Sequence, residues 1–355
     1  MILKLFLQEQ GATTLVIGAI ASVNAAGALL GSLMWGRVSD RSALRPLLFA
    51  TVLGAATAIS VLIALPPAAL ALGSTFVRAF MRLGFATVTM AIVSGASATA
   101  RRGKNLSYVT SAQSMGFAIG SIFAGFLLEQ LGYRWGFAVM AGLPLIGIAF
   151  LFTLPHEPAP ITPARRSSWK LALSSGLADL FISTILRQIA IFGTFSMLVV
   201  YMAANGIPPR YIGVVSAFNT GTQVLALILF GRLADRVGRR RIFMLGFGMS
   251  ALTPCVFAIS THIAVMMVGY AAVGISFSSL HIGTTAHIGD RIPADRLGTM
   301  LGLYETCRGL GGVLGPLIAG TIAPLVGFPG MFVTMGGIAA LGFLLMLTRR
   351  LVSRS

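Results

Sequence analysis

Five ionisable side chains interrupt long apolar stretches of the sequence, and they are the residues best placed to do chemistry. Arg78 and Arg82 are four positions apart and would share one face of a helix. Glu305 and Arg308, three positions apart, would do the same, and Arg187 lies in a third apolar stretch. Because an ionisable group in hydrocarbon is costly and usually faces a cavity or a partner, these five residues are candidates for a path taken by a solute or a proton.

The roles of these residues leave alternatives open. Glu305 is either a proton carrier or a fixed counter-ion for Arg308, and the two roles can alternate. Arg78 is either a cavity-facing residue or a structural arginine whose charged head reaches the membrane surface. If all four arginines faced one cavity with the single glutamate, that cavity would be positively charged and would suit an anionic solute. His281 and His287 are either a proton relay or packing residues.

The elements that position these residues are apolar helices. Of the 355 residues, 56% are hydrophobic and only 10% are charged, whereas soluble domains carry about 25% charged residues. Uninterrupted apolar runs at 47–65, 243–260 and 331–348 have the length that a hydrocarbon layer of about 30 Å requires of a helix. The composition therefore predicts an all-α membrane protein.

Apolar runs and the breaks between them predict eleven membrane helices. They lie near 13–35, 46–65, 68–97, 106–130, 133–154, 177–204, 209–231, 242–260, 263–288, 297–324 and 329–348. Cys255 and Cys307 each fall inside one of these runs, with no cluster of metal ligands around them. We therefore expect packing thiols and no metal site.

The distribution of charge predicts the membrane topology. A formal charge of +17 would by itself suggest a nucleic-acid partner. The basic residues, however, form short clusters in alternate connections between the apolar runs, which is the pattern of a membrane protein. Since positive charge stays in the cytoplasm, we expect the loop 155–176 and the C-terminus to be cytoplasmic, in a multi-pass protein of the cell membrane.

The two halves of the chain are copies at a constant offset of 195 residues. Matching pairs include Gly18 with Gly213, Asn24 with Asn219, Arg37 with Arg232, Gly120 with Gly315 and Gly132 with Gly327. Both copies place their charged phrase on the same side of the membrane, so the repeat is parallel. We expect two six-helix bundles, residues 1–154 and 177–355, joined by a cytoplasmic linker at 155–176.

The register of the repeat also predicts the extent of the first helix. The partner of the helix at 177–204 would begin before Met1, so residues 1–10 would form only the outer end of a first helix. We therefore expect eleven full helices plus an N-terminal stub. A signal peptide is the alternative interpretation, but no small-residue cleavage site follows the short apolar segment.

A charged phrase after the second helix of each half resembles a motif of the major facilitator superfamily, and the resemblance covers the whole chain. The motif reads Gly-x-x-x-Asp-Arg-x-Gly-Arg-Arg/Lys. Its residues are Gly36, Arg37, Asp40 and Arg41 in the first half, and Gly231, Arg232, Asp235, Arg236, Gly238, Arg239 and Arg240 in the second. The resemblance implies a cytoplasmic gate, whose Asp–Arg pairs close one face and break when it opens. The alternative is that the arginines only fix topology.

Two further motifs resemble the same family. Residues 78–86 resemble its fourth-helix motif, with Arg82 where glycine is common. Residues 116–125 lie where its drug–proton antiporters carry Gly-Pro in helix five. Ser121 replaces that proline, while Gly315 and Pro316 keep the dipeptide in helix eleven.

The resemblance implies a secondary transporter, not an enzyme. It would move a small organic solute by alternating access, coupled to protons, with export favoured over import. Two alternatives remain open: uptake of an organic anion by symport, and a truncated membrane protein that does not transport. No nucleotide-binding motif or hydrolytic constellation occurs, so no cofactor is expected. The expected partners are the solute, a proton and the lipid bilayer, without nucleic acid, and the chain is expected to act as a monomer.

Overall fold

The regular structure of the protein is helical. The computed structural model describes residues 1–39, 42–97, 101–152, 177–237, 239–259, 261–289, 292 and 294–352, and the predicted linker 155–176 lies outside them. The helices are α1 (Ile2–Glu9), α2 (Thr14–Ser39), α3 (Leu44–Ser60, continued by a 3₁₀ turn, Val61–Ala64), α4 (Ala68–Ala96), α5 (Arg102–Leu151), α6 (Ala178–Ala204), α7 (Pro209–Val237), α8 (Arg239–Ala258), α9 (Ile263–Gly289) and α10 (Ala294–Val352).

Two of these helices are interrupted near their middle. α5 has 50 residues and α10 has 59, which at 1.5 Å per residue is far longer than the roughly 30 Å of a hydrocarbon layer. Gly132 (φ 73°) breaks α5 and Gly327 (φ 71°) breaks α10, and glycine adopts such positive φ angles without strain. We call the parts α5a (102–131), α5b (133–151), α10a (294–326) and α10b (328–352).

The helices suit a membrane. By length and composition, nine of the helical segments in the described part of the chain could cross one, with 104–151 and 300–348 counted once each. Many large apolar side chains are exposed on the outside, as with Phe150 and Leu325, which a lipid environment tolerates and water does not. The chain is therefore a multi-pass membrane protein. The eleven predicted spans fall on nine of the described helices, because 106–130 and 133–154 share α5, and 297–324 and 329–348 share α10.

The two halves repeat each other in backbone detail. Gly11 (φ 73°) ends α1 and Gly206 (φ 76°) ends α6, exactly one repeat offset apart. The Gly11 N–H donates to the Gln8 carbonyl (3.0 Å), and the Gly206 N–H donates to the Ala203 carbonyl (2.9 Å). The same left-handed glycine cap thus closes both helices.

The halves pack on each other through two reciprocal seams, α2 on α10a and α5a on α7. A Cβ built on Gly320 of α10a would lie 2.7 Å from the Thr14 carbonyl oxygen of α2. At the equivalent place in the other seam, a Cβ on Gly125 of α5a would lie 2.5 Å from the Pro209 carbonyl oxygen of α7. Glycine is needed at both places because only a residue without a side chain lets two helix backbones approach this closely.

Candidate functional site

Glu305 lies in a cleft between the two halves. Glu305, Gly309 and Gly312 share one face of α10a by their spacing. Gly309 lies against Leu29 of α2 and Gly312 against Ala25, so this face of α10a meets the other half. Glu305 is one helical turn beyond these contacts, and its side chain is 59% exposed. It therefore faces the space where α2 and α10a separate, which we call the inter-half cleft.

Arg308 is held beside Glu305 by charge and by aromatic rings. Its Nη1 donates to both carboxylate oxygens of Glu305, at 2.8 and 2.9 Å. Its guanidinium carbon lies 5.3 Å from the centre of the Phe277 ring of α9 and 5.9 Å from that of Tyr304. Both distances are in the range of a cation–π contact. Among the described residues, the Nε and Nη2 groups of Arg308 have no hydrogen-bond partner.

The Phe277 ring also stacks on a histidine of the same helix, α9. The rings of Phe277 and His281 are stacked, with centres 5.8 Å apart and planes 8° from parallel. His281 is exposed, and it lies within electrostatic range of Glu305 and Arg308. The sequence suggested His281 only as a relay candidate. His287 stacks in the same way on Phe243 (5.7 Å) and is half-buried.

Arg187 is buried behind this group without a carboxylate. Only 4% of the residue is exposed. Its Nε donates to the Ser250 hydroxyl (2.7 Å), its Nη2 to the Ser276 hydroxyl (3.3 Å) and its Nη1 to the Gln188 amide oxygen. Tyr304 and Arg308 are within electrostatic range. Among the side chains that the structure describes, no carboxylate is within salt-bridge distance of Arg187, so neutral oxygens alone satisfy a buried positive charge.

Arg78 and Arg82 line a separate cavity inside the first half. The cavity has a volume of about 310 Å³ and lies between α3, α4 and α5b. Its other walls are mostly apolar; its lining consists of Thr51, Val52, Ala55, Ile59, Arg78, Arg82, Phe85, Pro144 and Gly147. The described contacts therefore divide the five candidate residues into two groups, one in each half.

In the second half, helix α6 fills the space that corresponds to this cavity of the first half. Gly311, Gly315 and Gly342 are packed against α6, and a Cβ on Gly311 would lie 2.8 Å from the Ile185 carbonyl oxygen. No described atom lies within 4 Å of a Cβ built on their counterparts in the first half, which are Gly116, Gly120 and Gly147. The counterpart of Ala55 is Ser250, which binds Arg187 of α6. The cavity thus occupies the position that α6 fills in the second half.

Several polar contacts across the halves were not identified from the sequence. Lys4 Nζ donates to the Phe195 and Ser196 carbonyls (3.3 and 2.9 Å), and Thr14 Oγ1 donates to the Gly320 carbonyl (3.0 Å). The remaining two are Gln8 Nε2 to the Val200 carbonyl (3.2 Å) and Arg210 Nη1 to Glu129 Oε1 (3.3 Å). Backbone carbonyls accept most of these bonds, and sequence patterns do not show which carbonyls a side chain will reach.

The described residues of the predicted gating phrase lie where α2 and α7 end, whereas the contacts above lie toward the end where these two helices begin. Arg37 and Arg236 are exposed there, and Gly36 is at the end of α2. Asp40, Arg41 and Gly238 lie outside the described residues, as do the side-chain positions of Arg232, Asp235, Arg239 and Arg240, and only the backbone of Gly231 is described. The pairing of this phrase therefore stays a prediction.

The sequence matches the Major Facilitator Superfamily over residues 1–203 and again over residues 180–355. The chain belongs to this family. It is 27% identical over 317 residues to the uncharacterised MFS-type transporter YuxJ of Bacillus subtilis, covering 83% of this chain and 78% of that protein. It is 23% identical over 365 residues to the multidrug resistance protein MdtG of Klebsiella pneumoniae, covering 95% of this chain and 85% of that one.

A solved structure has the same fold. The nucleoside transporter NupG (D323A mutant) superposes with a TM-score of 0.81 at 15% sequence identity, covering 98% of this chain and 94% of the other. Family membership and fold together identify the chain as a membrane transporter of the facilitator superfamily and not an enzyme.

Proposed function

We propose that this transporter is a secondary active carrier that moves a small organic solute by alternating access, coupled to protons and directed to export. One observation carries the proposal. The described hydrogen bonds and the ion pair that join residues 1–154 to 177–355 lie at the end where α2 and α7 begin, which we call the closed end. Glu305 and Arg308 face the cleft that leads to the opposite, open end.

The architecture that we propose is two bundles of six. If Gly132 and Gly327 each separate two crossings, α2 to α5b and α6 to α10b supply eleven spans, and α1 belongs to the first bundle. Residues 1–154 and 177–355 are then the two rocking bodies, and 155–176 links them. The reciprocal seams and the paired glycine caps support this division, since both obey the repeat offset.

The sidedness follows from charge. Exposed basic residues, including Arg37, Lys104 and Arg236, cluster at the open end. By the positive-inside rule, we propose that this end and the C-terminus face the cytoplasm in a cell membrane. We further propose that the chain acts as a monomer and that the arrangement described here is its inward-open state. In the outward-open state the Asp40 and Asp235 phrases would pair across the cytoplasmic seam.

The coupling that we propose centres on Glu305. Its carboxylate has two alternative states, paired with Arg308 or protonated, and it is exposed to the cleft. Arg187 and Arg308 form the second-half part of the solute pathway, and Arg78 and Arg82 the first-half part. Export is supported by the names of similar proteins, which include multidrug resistance proteins and an efflux protein.

Proton movement in proteoliposomes tests the proposal. Vesicles loaded with a pH-sensitive dye receive ethidium or 1-naphthoate, and the change in lumenal pH is recorded. Solute-dependent proton flux is expected with the unchanged chain and should be lost in Glu305→Gln. The control is Glu9→Gln, which removes a carboxylate that accepts a hydrogen bond from Tyr133 outside the cleft and should retain the flux. Unchanged coupled flux in a folded Glu305→Gln would remove Glu305 from the mechanism.

A further inference from the structure

The polar group in the cleft has hydrogen-bonding capacity that its own residues leave unused. Glu305 engages only Nη1 of Arg308, which leaves the Nε and Nη2 donors of the same guanidinium without a partner among the described residues. These donors lie along one edge of the guanidinium plane, the edge that binds a carboxylate or phosphate through two parallel hydrogen bonds. The Arg308 side chain is 21% exposed, so a solute can reach it.

The charges around this edge favour an anion. Arg187 and Arg308 are within electrostatic range of each other, and the described carboxylate paired with Arg308 is Glu305. Neutral hydroxyl and amide oxygens are the partners of Arg187, so its positive charge is not cancelled locally. An entering anion therefore meets a net positive charge nearby. Dissolved salt screens this charge less in a cleft than on an open surface.

Two aromatic rings lie near the same guanidinium group. Phe277 lies under the Arg308 guanidinium and stacks in parallel with His281, whose ring is exposed. Planar solutes bind such rings in offset-stacked or edge-to-face arrangements. A guanidinium edge next to a half-buried phenylalanine and an exposed histidine fits a ligand that carries its anionic group at the margin of an aromatic ring.

We infer that this part of the cleft is a binding site for a planar aromatic anion, such as an aromatic carboxylate. The carboxylate takes the Nε and Nη2 edge of Arg308, and the ring lies against His281 and Phe277. The inference rests on the proposed transport function and names the class of its solute. It adds Phe277 and His281 to the residues that decide which solute binds.

Direct binding to the purified full chain in detergent tests the site without requiring transport. The probes are 1-naphthoate, the cation 1-naphthylmethylammonium and the neutral 1-naphthalenemethanol, which share one ring system. We expect 1-naphthoate to bind most tightly. Arg308→Lys keeps the charge but loses the two-donor edge, so its Kd for 1-naphthoate should rise by about tenfold or more, the value of one charge-assisted hydrogen bond.

Matched variants separate the ring from the charge. Phe277→Leu should weaken 1-naphthoate by about three- to tenfold, because an aromatic pair is lost. Arg134→Lys and Phe123→Leu make the same substitutions at exposed positions of α5 and should leave the Kd unchanged. Melting curves of all variants show whether each is folded, and Phe277→Leu still tests the site if Arg308→Lys is not.

Three results would overturn the inference: no binding of 1-naphthoate, tighter binding of the cation than of 1-naphthoate, or equal 1-naphthoate affinity in the unchanged chain, Arg308→Lys and Phe277→Leu. Its failure is distinguishable from failure of the proposed function. Proton-coupled flux of ethidium without naphthoate binding would leave the transport function standing and remove this site. Naphthoate binding without any flux would do the reverse.

Discussion

Two glycines at equivalent positions of the repeat should respond oppositely to the same substitution. A Cβ on Gly315 would lie 2.9 Å from the Gly193 amide nitrogen and 3.0 Å from the Ile189 carbonyl carbon, both backbone atoms of α6 that cannot turn aside. No described atom lies within 4 Å of a Cβ on Gly120. Gly315→Ala should therefore force α10a and α6 apart, and Gly120→Ala should be accommodated.

The expected difference in stability between the two variants comes from packing alone. Replacing glycine by alanine in a helix gains up to about 1 kcal/mol of helix propensity, and this gain is shared by the two variants. Adding a group to a filled interface costs about 1–3 kcal/mol, and only Gly315→Ala bears this cost. The two variants should then differ by about 1–3 kcal/mol, or roughly 1–4 °C in apparent Tm for a chain of this size.

A thiol-reactive dye provides the assay. Cys307 is fully buried and Cys255 partly so, and the dye becomes fluorescent when unfolding exposes them. Gly116→Ala and Gly311→Ala form a second matched pair, since only Gly311 contacts α6. If Gly120→Ala lowered the apparent Tm as much as Gly315→Ala, the difference between the halves that the structure shows would be refuted.

Two further predictions concern polar contacts. Ser250→Ala should cost about 1–3 kcal/mol of stability because the buried Arg187 Nε–H loses its acceptor. Ser279→Ala removes a hydroxyl whose described hydrogen bond stays within its own helix, so it should cost less in the same melting assay. Equal losses would contradict the importance of the arginine contact. Glu129→Gln should weaken the closed end by about 0.2–1 kcal/mol, the value of an exposed ion pair. An impermeant thiol reagent should therefore label Ser121→Cys up to about fivefold faster in that background, and slower labelling would contradict a latch between Glu129 and Arg210.

The sequence predicted the helices well because their signals are local and repeated. Apolar runs mark the spans, and the 195-residue offset predicted that Gly11 and Gly206, or Gly132 and Gly327, are equivalent. The structure gives each pair matching positive φ angles. A glycine in such a conformation is a local requirement of the backbone, so identity in sequence translates directly into identity in geometry.

The candidate site was predictable only in part. Charges inside apolar runs identified Glu305, Arg308 and Arg187, since such charges are rare and expensive. The neighbours that give them a chemical character could not be found this way: Phe277 resembles any other apolar residue of a span, and it matters because α9 places it under the Arg308 guanidinium. The same limit applies to Lys4, whose acceptors are backbone carbonyls of α6.

Paired distances across the two ends of the molecule test alternating access most directly. Spin labels are placed at 130 and 205 for the closed end and at 38 and 236 for the open end, in a background with Cys255 and Cys307 replaced by alanine. The distances are measured in lipid nanodiscs in acidic and alkaline buffer, with and without 1-naphthoate. Alternating access predicts two populations in which one distance lengthens as the other shortens, with the state described here having the short distance between 130 and 205. Distances that stay fixed in every condition, or that lengthen together, would contradict it.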